Sequence, residues 1–475
     1  MTEILSFRER ANRALSDPVL QGALTNATGH FLDGKERVLA ELPDLGLPDV
    51  ETLRRRGRAI RERTIANLDR YLARLADEVQ AAGGTVHWAK DAAEACRVVV
   101  EIASAHGARR IAKSKSMLSE EIGVNEALHR AGAEVVETDL GEWIIQLAGE
   151  PPSHIIAPAV HKTKEQVAGL FSQRLGRPVP PDIPGLNRVA RETLREIFLE
   201  AEMGISGVNF AVVESGTLVI VTNEGNGRFA TGLPPVHVAV MGMEKVVPTW
   251  DDLAVLLALL PRFSTGQHIT SYVSCITGPR RPAEPDGPDE LHLVIVDNGR
   301  SELLKGPYLE SLYCIRCGAC LNACPVYKVV GGHAYGWVYS GPIGAVQGPL
   351  LQGMARFHEL PHASSLCGAC RDACPTMVDL PRMLLELRRD EVEGAESHVP
   401  WAERLIFRLF AWAVCHPRLF RLAARLGRRL QGGAGKPTGE RWVAAMPFPA
   451  SRWTDFRDFP QLAAKPFHER WEQQE

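Results

Sequence analysis

Seven of the ten cysteines fall in two short runs that share a spacing. The first reads Cys314-Ile315-Arg316-Cys317-Gly318-Ala319-Cys320, then Cys324-Pro325. The second reads Cys367-Gly368-Ala369-Cys370, then Cys374-Pro375. Three thiolates two residues apart can wrap one face of an iron-sulfur cube while amides of the same tight loop stabilise its sulfides, and Gly318 relieves crowding there. The fourth cysteine lies one turn further on and points to a neighbouring cluster, and the proline after it resets the chain direction. By that crossing rule Cys314, Cys317, Cys320 and Cys374 hold one 4Fe-4S cluster, and Cys324, Cys367 and Cys370 hold a second. Structural zinc also uses Cys-x-x-Cys pairs, but it needs four ligands per ion, and three successive cysteines closed by Cys-Pro favour iron and sulfide.

The second run is one thiolate short. Aligning the two Cys-Pro ends puts Ser364 where a first cysteine would stand. The vacant position could be filled by Ser364, by nearby His362, by a distant thiolate such as Cys415, or by water. It could also stay open and leave a three-iron cluster. The other cysteines, Cys96, Cys275 and Cys415, sit among apolar residues, and buried packing is the expectation for them.

Elsewhere the chemistry is sparser, and no catalytic residue is assigned. Gly225-Asn226-Gly227-Arg228-Phe229-Ala230 approaches a dinucleotide fingerprint, but Thr231-Gly232-Leu233-Pro234-Pro235 follows where a helix is required. Lys113-Ser114-Lys115-Ser116, Glu214-Ser215-Gly216-Thr217 and Asn223-Glu224-Gly225-Asn226 could line an anion or carboxylate site, or simply make turns. His161-Lys162 and Glu244-Lys245 are weaker candidates.

These residues need elements to carry them. Residues 1–70 carry helical spacing, with an arginine run from Arg54 to Arg63 that reads as a solvated helix face. From 71 to about 300, β-branched runs (Val86–Trp88, Arg109–Ala112, Ala133–Val136, Ile155–Val160, Ala211–Val221, His237–Met241, Leu291–Val296) alternate with helical patterns such as Asp91–His106 and Glu120–Arg130. That alternation predicts an α/β domain with a largely parallel sheet. Pro279–Pro288 suits an exposed excursion before the closing strand. Residues 301–395 form the cysteine module, closed by a helix at Met383–Arg389. A third part, 396–475, reads as a helix over Trp401–Leu430, a Gly-rich linker over Gln431–Thr438, and a tail with Trp442, Phe448, Trp453, Phe456, Phe459, Phe467 and Trp471 that packs on its own chain or on a partner.

A chain of 475 residues with formal net charge −3 has no general attraction for nucleic acid. Arg8, Glu9 and Arg10 break any secretory apolar run, and neither Leu253–Leu260 nor Leu405–Val414 is a membrane span. The expectation is a cytoplasmic chain whose thiols bind metal rather than form disulfides.

The run Lys113-Ser114-Lys115-Ser116-Met117-Leu118-Ser119-Glu120-Glu121, then Glu214-Ser215-Gly216-Thr217, then the two cysteine runs in this order, resemble the bacterial lactate-utilisation protein B family over nearly the whole chain. The resemblance implies a LUD domain of NagB/RpiA/CoA-transferase-like fold, an α-helical ferredoxin-type two-cluster module and a C-terminal extension. It further implies an electron-transfer subunit of an L-lactate dehydrogenase-type complex, converting lactate to pyruvate beside a Cys-Cys-Gly A-type subunit and a LUD-type C subunit. Any contact with the inner membrane would be made through those partners. The family's cluster ligands fall on the seven cysteines named above, and the Ser364 position is non-cysteine there too. The competing expectations are that the chain is itself the 2-hydroxy-acid dehydrogenase, or that its α/β domain only docks partners or binds carboxylates.

Overall fold

A computed structural model describes residues 5–394, 400–434, 436–437, 442–446, 451, 454, 457–463, 465 and 467–471. They divide into two compact units, Met1–Glu396 and Ser397–Glu475.

The first unit begins with helices α1 (Phe7–Leu15), α2 (Pro18–Ala40), α3 (Val50–Ala66) and α4 (Leu68–Ala81). Ser6, Asp17 and Asp49 cap the first three by accepting amide hydrogens of the opening turn. Then come β1 (Thr85–Ala89), α5 (Ala92–Ala105), β2 (Arg110–Lys113), α6 (Met117–Ile122), α7 (Val124–Arg130), β3 (Glu134–Glu137), α8 (Leu140–Ala148), α9 (Lys164–Leu175) and α10 (Ile183–Glu200). They are followed by β4 (Met203–Gly207), β5 (Phe210–Val212), β6 (Thr217–Thr222), α11 (Asn226–Gly232), β7 (Val236–Gly242), β8 (Val246–Val247), α12 (Trp250–Ser264), β9 (Tyr272–Ile276) and β10 (Glu290–Val296).

Six strands pair in the order β1-β10-β7-β4-β2-β3, all parallel. The central strand β7, Val-His-Val-Ala-Val-Met-Gly, is buried at every position, as a parallel strand covered on both faces must be. A second sheet, β8-β5-β6-β9, was not foreseen. Its outer strand β9, Tyr-Val-Ser-Cys-Ile, is short and has no fully buried residue, so it gave no buried-run signal.

Three expected elements differ. Val98–Ile102 is helical within α5 as expected, but Glu120–Arg130 is two helices, because Gly123 takes φ 75° and ends α6. Ile155–Val160 is not a strand. Pro158 interrupts it, Pro151 and Pro152 stand just ahead of it, and the hydrogen bonds here are local, from Ser153 N to Pro158 O (3.0 Å) and from Ile156 N to His154 Nδ1 (3.1 Å). The glycine run at Gly225 is itself a seven-residue helix, α11, that packs against β4 so closely that a Cβ on Gly204 would meet the Ala230 carbonyl at 1.7 Å.

The cysteine module carries only short helices, α13 (Ala319–Ala323), α14 (Tyr327–Val330), α15 (Gly341–Gln352), α16 (Met354–Phe357) and α17 (Ala369–Asp372), before the longer α18 (Leu380–Glu393). One apolar core runs through Leu24, Leu75, Leu293, Tyr327, Met383 and the sulfurs of Cys320, Cys324, Cys370 and Cys374. The arginine run is only in part a solvated face: Arg55, Arg56 and Arg63 are exposed, and the other three turn inward. Arg61 is buried and donates to the carbonyls of Val246 (3.1 Å), Leu312 (2.9 Å) and Glu244. Half-buried Arg54 donates to Cys374 O (3.0 Å) and Arg58 to Met377 O (2.6 Å), so α3 clamps the module.

In the second unit the expected single helix is two, α19 (Trp401–Val414) and α20 (Pro417–Ala434), separated at Pro417. Gln431–Ala434 continue α20 rather than starting a linker; Gly435 and Thr438 lie outside the described residues. Short strands β11 (Lys436–Pro437), β12 (Trp442–Ala445) and β13 (Phe459–Pro460) pair antiparallel, and α21 (Phe467–Trp471) closes the chain. Of the aromatic tail, Trp442, Phe467 and Trp471 are exposed, Phe459 is half-buried, and Phe448, Trp453 and Phe456 lie outside the described residues. Among the described residues no helix is long and apolar enough to cross a membrane.

Candidate functional site

Cys314, Cys317, Cys320 and Cys374 line one small cavity, walled by Ile155, Ile343, Val378 and Leu380. Three come from the first run and one from the second. The remaining three, Cys324, Cys367 and Cys370, form a second set, in which Cys324 and Cys370 are buried and Cys367 is exposed. Backbone amides are aimed at the sulfurs, from Arg316 N to Cys314 (3.4 Å), Tyr327 N to Cys324 (3.5 Å) and Val378 N to Cys374 (3.3 Å). Arg316 at φ 60° and Gly318 at φ 76° make the tight turn that turns these amides inward.

Burial pushes the Cys317, Cys320 and Cys374 thiols up, and the neighbouring sulfurs add to the effect. Burial also pushes Cys370 up to about 12, with Cys324 contributing. Thiolates so crowded become stable only with cations among them. Their sulfurs are not drawn together as the ligands of one ion would be. Among the described residues no three cysteine sulfurs lie within 4.8 Å of one another. Thiolates on one zinc at about 2.3 Å would stand about 3.8 Å apart.

The second loop repeats the first. Leu366 at φ 54° and Gly368 at φ 87° match Arg316 and Gly318, and α17 follows as α13 does. Ser364 Oγ accepts from Leu366 N at 3.1 Å, as Cys314 Sγ accepts from Arg316 N. His362 is engaged elsewhere, with Nε2 2.7 Å from Glu391. The cysteines expected to be buried packing divide: Cys96 is half-buried, its thiol donating to Ile122 O at 3.1 Å, while Cys275, on the edge strand β9, and Cys415, at the end of α19, are exposed.

Beside the cysteine cavity lies a pocket of about 330 Å³ at the carboxyl ends of β2, β4 and β7. Open α/β sheets place their ligands there. Ser114, Lys115 and Ser116 line it, as do Asn223, Glu224 and Asn226 and the weaker candidates Glu244 and Lys245. Lys113 does not; it is buried in ion pairs with Glu120 (2.8 Å) and Glu137. Glu214–Thr217 lies outside it, with Glu214 accepting from Trp250 N and Gly216 pressed on the α4 backbone. His161 and Lys162 both pair with Glu150, outside the lining.

Residues 72–296 match the LUD domain, 310–378 the 4Fe-4S dicluster domain, and 386–475 the C-terminal region of lactate utilisation protein B. Lactate utilization protein B of Oceanobacillus iheyensis is 44% identical over 468 residues, covering 98% of this chain and 96% of that one. The chain belongs to the lactate utilization protein B family. The Macrococcus caseolyticus member is 46% identical over 458 residues, covering 96% and 94%. A solved DUF162 family structure from Deinococcus radiodurans, 13% identical over 48% of this chain and 98% of its own with TM-score 0.28, is too slight a likeness to bear on the fold. As a member of the family the chain is an iron-sulfur protein with an α/β LUD domain ahead of the 4Fe-4S region.

What sequence reasoning missed in this family member is Arg316. The residue sits inside the first cysteine run yet lines the LUD pocket, its guanidinium 4.1 Å from the Tyr339 ring centre and 3.8 Å from Glu244. Behind it Arg300 pairs with Glu121 and Glu244 at 2.8 Å, and Tyr339 donates to Glu121 at 2.8 Å. Burial pushes the Glu244 carboxyl up, but Arg300, Lys245 and Arg316 outweigh it and hold the group at about 2. Burial lowers Lys245 to about 8. At the other end, burial and then Asp139 push Glu224 up to about 7.

Proposed function

We propose that this chain is the iron-sulfur electron-transfer subunit of an L-lactate-oxidising system, relaying electrons through two 4Fe-4S clusters as lactate becomes pyruvate. The observation that carries the reading is the cavity lined by three cysteines of the first run and Cys374 of the second. Such crossing is how two clusters are held side by side in one small module. Cys314, Cys317, Cys320 and Cys374 would hold the first cluster. Cys324, Cys367 and Cys370 would hold the second; the matching Leu366 N to Ser364 Oγ bond supports Ser364 among the candidates for its fourth position.

The clusters supply one-electron chemistry when bound. The chain's own part is to bury the first set from water, direct amides at its sulfurs and bring Arg61 and Arg316 near Cys314. Two clusters need proximity to a donor and an acceptor rather than a catalytic side chain. The A-type and C-type partners named by family resemblance would provide that donor and acceptor. The test is to add L-lactate to the anaerobic chain assembled with those two subunits and follow the bleaching of its cluster absorption. Bleaching that a Cys320→Ala chain fails to show supports the relay. Clusters that stay oxidised in the complete assembly contradict it.

A further inference from the structure

The LUD pocket and the cysteine cavity share a wall. Ile155 and Arg316 line both, so whatever enters the pocket meets a residue next to Cys317 and two positions from Cys314. Several donors in the lining are unspent. The buried Ser114 hydroxyl has no hydrogen-bond partner, and among the described residues no hydrogen bond or ion pair engages the ammonium groups of Lys115 and Lys245. Asn209 spends its carbonyl oxygen on Val221 N, and Asn226 its own on Thr222, which leaves both amide NH2 groups free. A buried hydroxyl without a partner is unfavourable, and a ligand can supply the missing hydrogen bond.

Unpaired donors call for an acceptor-rich ligand, and the charges set its size. Lys115, Lys245, Arg300 and Arg316 face Asp139, Glu224 and Glu244, with Glu121 paired to Arg300 behind them, so that four cations meet four carboxylates and Lys115 and Lys245 are the cations left unpaired. A pocket with unpaired donors and no net positive charge disfavours a phosphate dianion and leaves room for a monoanion. Ile155, Ile156, Val208 and Ile220 add an apolar wall for a short carbon chain.

We propose that this pocket binds a small monocarboxylate of the 2-hydroxy or 2-oxo acid class, seated against the loop that carries Cys314 and Cys317. The choice of acid class rests on the lactate-oxidising reading above. Lys245 and Ser114 are its binding residues, and Arg316 is a positioning residue that links the occupied pocket to the cysteine loop.

The experiment titrates L-lactate, pyruvate and inorganic phosphate into the anaerobically reconstituted full chain by calorimetry, with iron content and electron paramagnetic resonance recorded on the same samples. One carboxylate binds with a stoichiometry of about one per chain. Lys245→Met weakens it at least tenfold and Ser114→Ala several-fold, both with unchanged iron content. The bound acid shifts the line shape of one cluster signal, and Arg316→Lys abolishes that shift while retaining binding. An iron-loaded chain that binds neither carboxylate overturns the pocket assignment and leaves the electron-transfer reading standing. Affinity unchanged in both Lys245→Met and Ser114→Ala, or tight binding of phosphate alone, overturns it equally. A chain that takes up no iron fails the electron-transfer reading instead.

Discussion

The two cysteine loops have nearly the same backbone and different surroundings. Each turns through a non-glycine residue at positive φ, then a glycine, into a short helix. The first loop is sunk in the core, with Cys317, Cys320 and Cys324 buried and Arg61 bonded to the Leu312 carbonyl just ahead of it. The second has Cys367 exposed and an oxygen at Ser364 where the first has sulfur. The repeat is therefore conserved in shape and broken in chemistry. Cluster stability and potential follow exposure, ligand and amide hydrogen bonds, so the two sites should behave differently despite one fold.

The sharpest way to break the comparison is through Cys374, which belongs to the second run but faces the first cavity. Cys374→Ala is expected to remove the same paramagnetic signal as Cys320→Ala and about half the iron. Cys367→Ala should remove the other signal and leave the fold intact. If Cys374→Ala and Cys367→Ala removed the same signal, the crossing would be wrong.

A smaller effect lies in the clamps. Arg61→Ala strands three carbonyls in the core and should cost about 3 kcal/mol of unfolding free energy, whereas Arg54→Ala at the half-buried second loop should cost about 1 kcal/mol. Denaturant titration of the apo-chain compares them, and equal losses would mean the two loops are anchored alike.

Smaller still, Ser364→Cys gives the second loop the sulfur it lacks. Cluster loss from the second site under air should slow several-fold, followed by its absorption. No change would mean that the Ser364 position is not directed at a cluster.

The mildest test concerns Glu224, at the end of the pocket away from the first loop. Its folded pKa, about 7, lies above the ordinary 4.5. The folded state thus holds a proton that the unfolded chain releases, and stability falls as pH rises from about 4.5 to about 7. Glu224→Gln should be more stable than the parent above pH 7, by on the order of 1 kcal/mol. The difference should vanish below about pH 4.5, read from melting curves across pH.

Much of this was legible in the sequence. Cysteine spacing and Cys-Pro ends mark the ligand sets because local spacing dictates local geometry, and the near-continuous apolar runs of β7 and β10 announce a parallel sheet. What was hidden depends on long-range docking. Arg61 and Arg54 look like a charged surface until α3 meets the module. Arg316 looks like filler between cysteines until its side chain stacks on Tyr339 and approaches Glu244 of the LUD domain. Ile155–Val160 has strand composition, yet no sheet edge is offered to it. Of the stretches expected to line an anion site or make turns, Ser114–Ser116 and Asn223, Glu224 and Asn226 line the pocket. Glu214–Thr217 does not, and the sequence could not separate them because a hairpin turn and a pocket loop share composition.

The measurement that bears most directly on the whole account is iron and sulfide quantification of the anaerobically purified chain, paired with electron paramagnetic resonance of its reduced and oxidised forms. The account predicts about eight irons per chain, or about seven if the second site loses one, and two distinct cluster signals. Zinc in the cysteine sites with no acid-labile sulfide would contradict it.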